Sequence, residues 1–281
     1  MKSIVVGIDF QNQSYAAMKF AVNFAKKVGA NLELVFVNKF DRSKDIFQRP
    51  KSKIKEEATS RFVQLIDKYT DILSKDRFDY KIRTGTVVDE LDREVRENNS
   101  EMIVIGTQGR AGFKLFSSSK AFKVVSNASV PVVTIKDGAT IESNIRKILV
   151  PIDATLESRQ KIPYTVKIAR IYNAEIHMLA LFHTKVDAIT ENIVSYSKQA
   201  AEYLESNAVN FVVKSVETSN VVKTTIDYSE EIDADVISSM TIQLSSASTL
   251  WKGSFAQQLI DRSHIPVINI QPKELIKTLS R

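Results

Sequence analysis

The chain has 281 residues, 43% hydrophobic and 26% charged, with 39 lysines and arginines against 33 acids and a net charge of +6. That balance describes a soluble globular protein of about two domains, with its charge too thinly spread to mark a nucleic-acid binder. Cysteine is absent, which excludes disulfides, cysteine-ligated zinc and thiol catalysis and fits a cytoplasmic location.

The apolar run Ile4–Ile8 stops at Asp9, too short for a signal-peptide core, and no stretch approaches the roughly 18 apolar residues of a membrane span. Ile4–Asp9 instead reads as a buried strand ending in an acid. Ala17, Phe20, Ala21, Phe24 and Val28 follow at helical spacing, with Gly29 placed to close the helix. Leu32–Val37 is a second strand, residues 38–52 a charged loop, and Glu56–Leu73 a helix with an apolar stripe from Ala58 to Tyr69. Phe78–Ile82 alternates as a strand does, Gly85 turns the chain, and Val88–Arg96 is a charged amphipathic helix. Ile103–Ile105 is a β-branched buried strand, a helix runs on to Ala128, and Val130–Ile135 is the last strand. Strands alternating with helices imply a parallel α/β sheet covered on both faces, with ligands received beyond the carboxyl ends of the strands.

The pattern then starts again. Ile148–Asp153 echoes Ile4–Asp9 at an offset of 144, and Ile265–Ile270 echoes Val130–Ile135 at an offset of 135. Asp235–Ser239 stands where Glu101–Gly106 stood. The chain therefore divides into a first α/β domain (1–136), a polar linker (137–146), a second α/β domain (147–271) and a short basic tail (272–281).

The stretch that most resembles a functional site is Gly106-Thr107-Gln108-Gly109-Arg110, followed by Ser117-Ser118-Ser119. A strand, a glycine turn and a helix start rich in hydroxyls make a candidate anion cradle, because backbone N–H groups and the positive helix end both favour a phosphate. An ordinary βα turn uses the same residues. Asp9 and Asp153 each read either as catalytic, metal-binding or ligand-contacting acids or as turn and cap formers. Arg110 and Lys120 read as phosphate contacts or exposed cations. His177, His183 and His264 lack metal spacing, and neither a P-loop nor a nucleophile elbow is present. No catalytic or metal-ligating set emerges.

These residues resemble the universal stress protein family across nearly the whole chain. Val6–Asp9, Gly106–Gly109 and Lys123–Val125 followed by Val130–Val133 carry the likeness. The resemblance implies two tandem five-stranded parallel open sheets with helices on both faces, paired through their final strands as an intrachain pseudo-dimer, with further homodimerisation open. It implies a non-enzymatic protein acting through unidentified protein partners in a stress response, and ATP with magnesium as the candidate ligand. The site carried over from the family comprises Asp9, Val37, Gly106, Thr107, Gly109, Arg110, Ser118 and Ser119. The family pattern is Gly-x-x-Gly, nine residues, then Gly-Ser or Gly-Thr. Direct counting puts its last pair on Ser119-Lys120; alignment through Lys123 puts it on Ser118-Ser119. Either way serine replaces the glycine. The second half keeps Gly253-Ser254 but has Met240 and Gln243 in place of the paired glycines. A nucleotide-free interaction module of the same fold is the alternative. Slow ATP hydrolysis has no water-activating base to support it.

Overall fold

A computed structural model describes residues 1–38, 51–107, 118–241 and 254–272. In the first repeat the elements are β1 (Ser3–Gly7), α1 (Asn12–Val28), β2 (Asn31–Asn38), α2 (Lys51–Asp67), β3 (Phe78–Thr84), α3 (Val87–Asn98), β4 (Ile103–Thr107), α4 (Ser118–Asn127) and β5 (Val132–Lys136). The second repeat supplies β6 (Lys147–Ile152), α5 (Ile162–Tyr172), β7 (Glu175–Phe182), α6 (Asp187–Ser206), β8 (Phe211–Glu217), α7 (Val221–Glu231), β9 (Val236–Met240), α8 (Phe255–Arg262) and β10 (Val267–Ile270). A short 3-10 turn, Leu156–Arg159, precedes α5.

The strands lie in the order β3-β2-β1-β4-β5-β10-β9-β6-β7-β8. Pairing is parallel within each repeat and antiparallel at the central seam, where Thr134 faces Val267 and Val132 faces Asn269. Two five-stranded sheets are thus fused through their last strands, as the resemblance implied. Asn269, fully buried at the seam, donates from Nδ2 to the Val132 carbonyl and to Thr134 Oγ1, both at 3.1 Å.

Local chemistry explains the element ends. Helix α1 stops at Gly29, whose φ of 72° is left-handed, and Lys26 and Lys27 sit against the negative end of its dipole. Helix α3 starts at Thr86, whose Oγ1 accepts from the Asp89 amide at 3.2 Å. The helix predicted over Glu56–Leu73 starts earlier, at Lys51, and ends at Asp67. Thr70 Oγ1 donates to the Asp67 carbonyl at 3.0 Å, a local bond that competes with the helical ladder.

Strands β1 and β4 are buried at every residue, which is why they read as unbroken apolar runs rather than as alternation. One sheet face carries an apolar cluster continuous through both repeats, with Phe24 and Tyr172 meeting at 5.8 Å between ring centroids. The opposite face has two separate clusters, one around Leu91 and Val124 that also takes in Ile260 of α8, and one around Leu179 and Leu259 in the second half. Residues 137–146, between β5 and β6, pack onto the continuous core through Ile141 and Ile145. Lys19 Nζ donates to the Ile141 carbonyl at 3.1 Å, and the Thr140 amide donates to the His264 carbonyl at 2.9 Å.

Candidate ligand crevices at the strand ends

In the first half β1 lies between β2 and β4, so the strand order reverses there and a crevice opens beyond the carboxyl ends. Asp9 follows β1, Thr107 ends β4, and α4 opens at Ser118. Val37, near the end of β2, is buried in the cluster under α3 and α4. Ser119 is exposed in the first turn of α4. Gly109, Arg110 and the side chain of Ser118 lie outside the described residues.

Asp9 is 7% exposed, and its carboxylate is held by its own turn. Oδ1 accepts from the Gln11 amide at 3.0 Å and Oδ2 from Gln13 Nε2 at 2.9 Å. Burial pushes its pKa above the ordinary carboxylate value, against the hydrogen bonds from Gln11, Ser14 and Gln13 that favour the charged form. Phe10 takes a left-handed φ of 58°, rare for an aromatic residue, and packs its ring at a tilt against Phe36 and edge-on against Phe62.

Gly106 has a different reason to be glycine than the turn expected from the sequence. It is the fourth residue of β4, and a Cβ there would lie 1.9 Å from the Gln13 carbonyl oxygen. The close approach it permits is that of the first turn of α1. Thr107 beside it is fully buried, and its Oγ1 has no hydrogen-bond partner among the described residues. On the α2 side of Asp9 lies a cleft of about 320 Å³ lined by Phe10, Phe36, Asn38, Ile54, Glu57 and Arg61.

The second half has the corresponding reversal, with β6 between β9 and β7. The helix caps Gly29 and Asn173 are both left-handed and keep the offset of 144. Register between β6 and β9 sets Met240 in the place of Gly106, as counting implied. Asp153 Oδ1 accepts from the Thr155 amide at 2.8 Å and from its hydroxyl at 2.5 Å. Ser254 caps α8, its Oγ accepting from the Gln257 amide at 3.2 Å. The buried Ala121 and Ala256, and Val125 and Ile260, share the offset of 135, which aligns Ser119 with Ser254 and so favours the Ser118-Ser119 alternative.

A residue that the sequence reading passed over stands at this second crevice. Lys161, 3% exposed, precedes α5 where the first half has Ala17. Its Nζ donates to the Ser158 carbonyl at 2.6 Å and to Ser158 Oγ at 3.3 Å, while Ser158 Oγ also accepts from the Asp153 amide. Burial drops its pKa from 10.5 to about 8, and the more distant Asp153 charge opposes the drop. The available signal was the repeat itself, in which a lysine takes the place of an alanine on a core face. His177, by contrast, is a packing histidine, bonded through Nε2 to Glu175 at 2.6 Å and through Nδ1 to the Tyr228 hydroxyl at 3.4 Å. No group of metal-binding side chains occurs among the described residues, and no helix among them is long and apolar enough to cross a membrane.

The fold is that of a duplicated, doubly wound α/β protein with a reversal of strand order in each repeat. The universal stress protein family matches residues 1–136 and again 144–271, and the chain belongs to that family. Its fold is similar to that of a universal stress protein from Archaeoglobus fulgidus DSM 4304, at 16% identity and a TM-score of 0.73 over 97% of each chain. A universal stress protein structure from Pseudomonas aeruginosa UCBPP-PA14 aligns at 16% identity and a TM-score of 0.65, over 97% of this chain and 94% of the other. A shorter universal stress protein from Archaeoglobus fulgidus, solved in complex with dAMP, covers 44% of this chain and 97% of its own at 17% identity and a TM-score of 0.37. No curated protein gives a significant match.

Proposed function

We propose that the chain is a non-enzymatic universal stress protein that holds an adenine nucleotide in its first half and acts through protein partners in a stress response. The observation that carries this reading is the parallel pairing of β1 with β4, which sets Asp9, just after β1, and Thr107, the last residue of β4, at the carboxyl ends of neighbouring strands, with α4 following in the chain. In this reading Asp9 and Val37 flank the adenosine. Gly106, Thr107, Gly109, Arg110, Ser118 and Ser119 line the path of ribose and phosphates, with magnesium arriving on the nucleotide. The buried Thr107 hydroxyl, without a partner among the described residues, fits a polar ligand. Both Asp9 oxygens are engaged by Gln11 and Gln13, which argues against a general-base role.

A nucleotide-free scaffold is the second reading, favoured by the Gln13 carbonyl filling the space that Gly106 leaves. Calorimetric titration of magnesium ATP into the intact protein and into Gly109→Val separates the two. Micromolar binding that the variant loses supports the nucleotide site. A flat titration at millimolar ATP overturns it and leaves the scaffold.

A further inference from the structure

The second crevice has a different chemistry from the first. Beyond the ends of β6 and β7 lies a cavity of about 410 Å³, walled by Pro151, Leu181, Ile189, Val221 and Phe255, with Asp153 and His183 among its polar lining. A smaller chamber of about 30 Å³ adjoins it, sharing Pro151, Asp153 and Phe255 and lined further by Ser158, Lys161, Met240 and Ser254. The larger space suits an apolar body, and the smaller has room for a head group of a few atoms.

Lys161 decides what that head group is. An ammonium has three protons to donate. Ser158 takes two, and no described residue offers Lys161 a third acceptor or a carboxylate within 4.0 Å. A buried cation without an ion-pair partner is costly, and the first half avoids the cost with Ala17. Met240, standing where Gly106 stands in the other half, lines this small chamber. Ser254 and the first residues of the eight-residue helix α8 also line the chamber, where the helix start adds partial positive charge. Asp153 is the one acid lining it, and its Oδ1 is engaged by Thr155.

We propose that the second half binds an apolar monocarboxylate, with its hydrocarbon body in the larger cavity and its carboxylate in the chamber beside Lys161 and Ser254. The ligand supplies the close ion-pair partner that Lys161 lacks among the described residues, and a chamber of about 30 Å³ is too small for a phosphate chain. Ligand class is thus divided between the two halves of one chain.

Titration of decanoate into the full chain, with decanol as the uncharged control and AMP as the phosphorylated one, tests the proposal. Decanoate is expected to bind at least tenfold tighter than decanol, and AMP is expected not to displace it. In Lys161→Met the preference for the acid disappears while decanol binding persists, which shows a folded, open cavity. In Leu181→Trp, which fills the cavity and leaves Lys161 in place, both ligands are lost. Equal affinity for decanoate and decanol in the parent chain overturns the proposal. So does absence of decanoate binding, or a carboxylate preference that survives Lys161→Met.

Discussion

At the same depth in the two halves stand an alanine and a lysine. Around Ala17 the first half closes on itself: the Gln13 carbonyl fills the notch of Gly106, and the Gln13 side chain holds Asp9. Around Lys161 the second half is polar but incompletely paired. Thr165 Oγ1 meets Ser238 Oγ at 2.7 Å, Ser158 serves both Lys161 and the Asp153 amide, and an apolar cavity opens alongside. One duplicated sheet thus supports two microenvironments that differ in glycine, charge and space. Conserving a backbone conserves the position of a crevice, while a few substitutions beneath it reset what the crevice accepts.

The most severe way to break the contrast is to force the second half's chemistry on the first. Ala17→Lys buries an ammonium with no serine turn to receive it, and is expected to cost about 3–5 kcal/mol in urea unfolding. A loss below about 1 kcal/mol would mean that the first half already has latent room for a cation. Gly106→Ala comes next, because its Cβ would meet backbone rather than a mobile side chain. A cost of about 3 kcal/mol is expected from overpacking, with the first half reporting the change. If the variant is as stable as the parent, α1 does not approach β4 as closely as described.

Lys161 gives an effect of opposite sign with pH. Its folded pKa, near 8, lies below the 10.5 of the solvent-exposed group, so the unfolded chain binds more protons between those values. Stability from this group therefore rises with pH across that window, by up to about 3 kcal/mol. Urea unfolding of the parent and Lys161→Met between pH 7.5 and 10.5 isolates the contribution, which the variant should lack. The variant is also expected to be more stable than the parent at pH 7.5, by about 1–3 kcal/mol. Parallel pH curves would show that the lysine is solvated.

Asp9 provides the smallest and sharpest comparison. Its folded pKa is raised, so the folded state holds its proton more tightly, and this group's contribution falls as pH rises from the unfolded value near 3.8. Asp9→Asn removes that slope while keeping an acceptor for the Gln11 amide. The expected change at pH 7 is within about 1 kcal/mol, and acid titration by NMR reads the displaced carboxyl directly.

Much of the architecture was legible because fully buried strands leave apolar runs and because the repeat prints them twice. Gly29 identified its helix end through a conformation that few other residues adopt readily. The end of α2 was less legible, since the bond from Thr70 to Asp67 depends on a side-chain rotamer that periodicity does not encode. At the site, sequence found Asp9 and Gly106 but not what they touch: a glycine that admits a ligand and one that admits a neighbouring helix look alike in one dimension. Lys161 was hidden for a related reason, as lysine is read as solvent-facing until the fold places it on a core face.

The antiparallel seam between β5 and β10 gives this molecule a property that two separate chains would not share. Residues 137–146 tether the halves so closely that each meets the other at an effective concentration on the order of millimolar. Dilution therefore cannot part them, and neither half readily trades its neighbour for one from another chain. Occupancy of either crevice has to be communicated as a change in shape or rigidity within a fixed pair, not as the making and breaking of that pair.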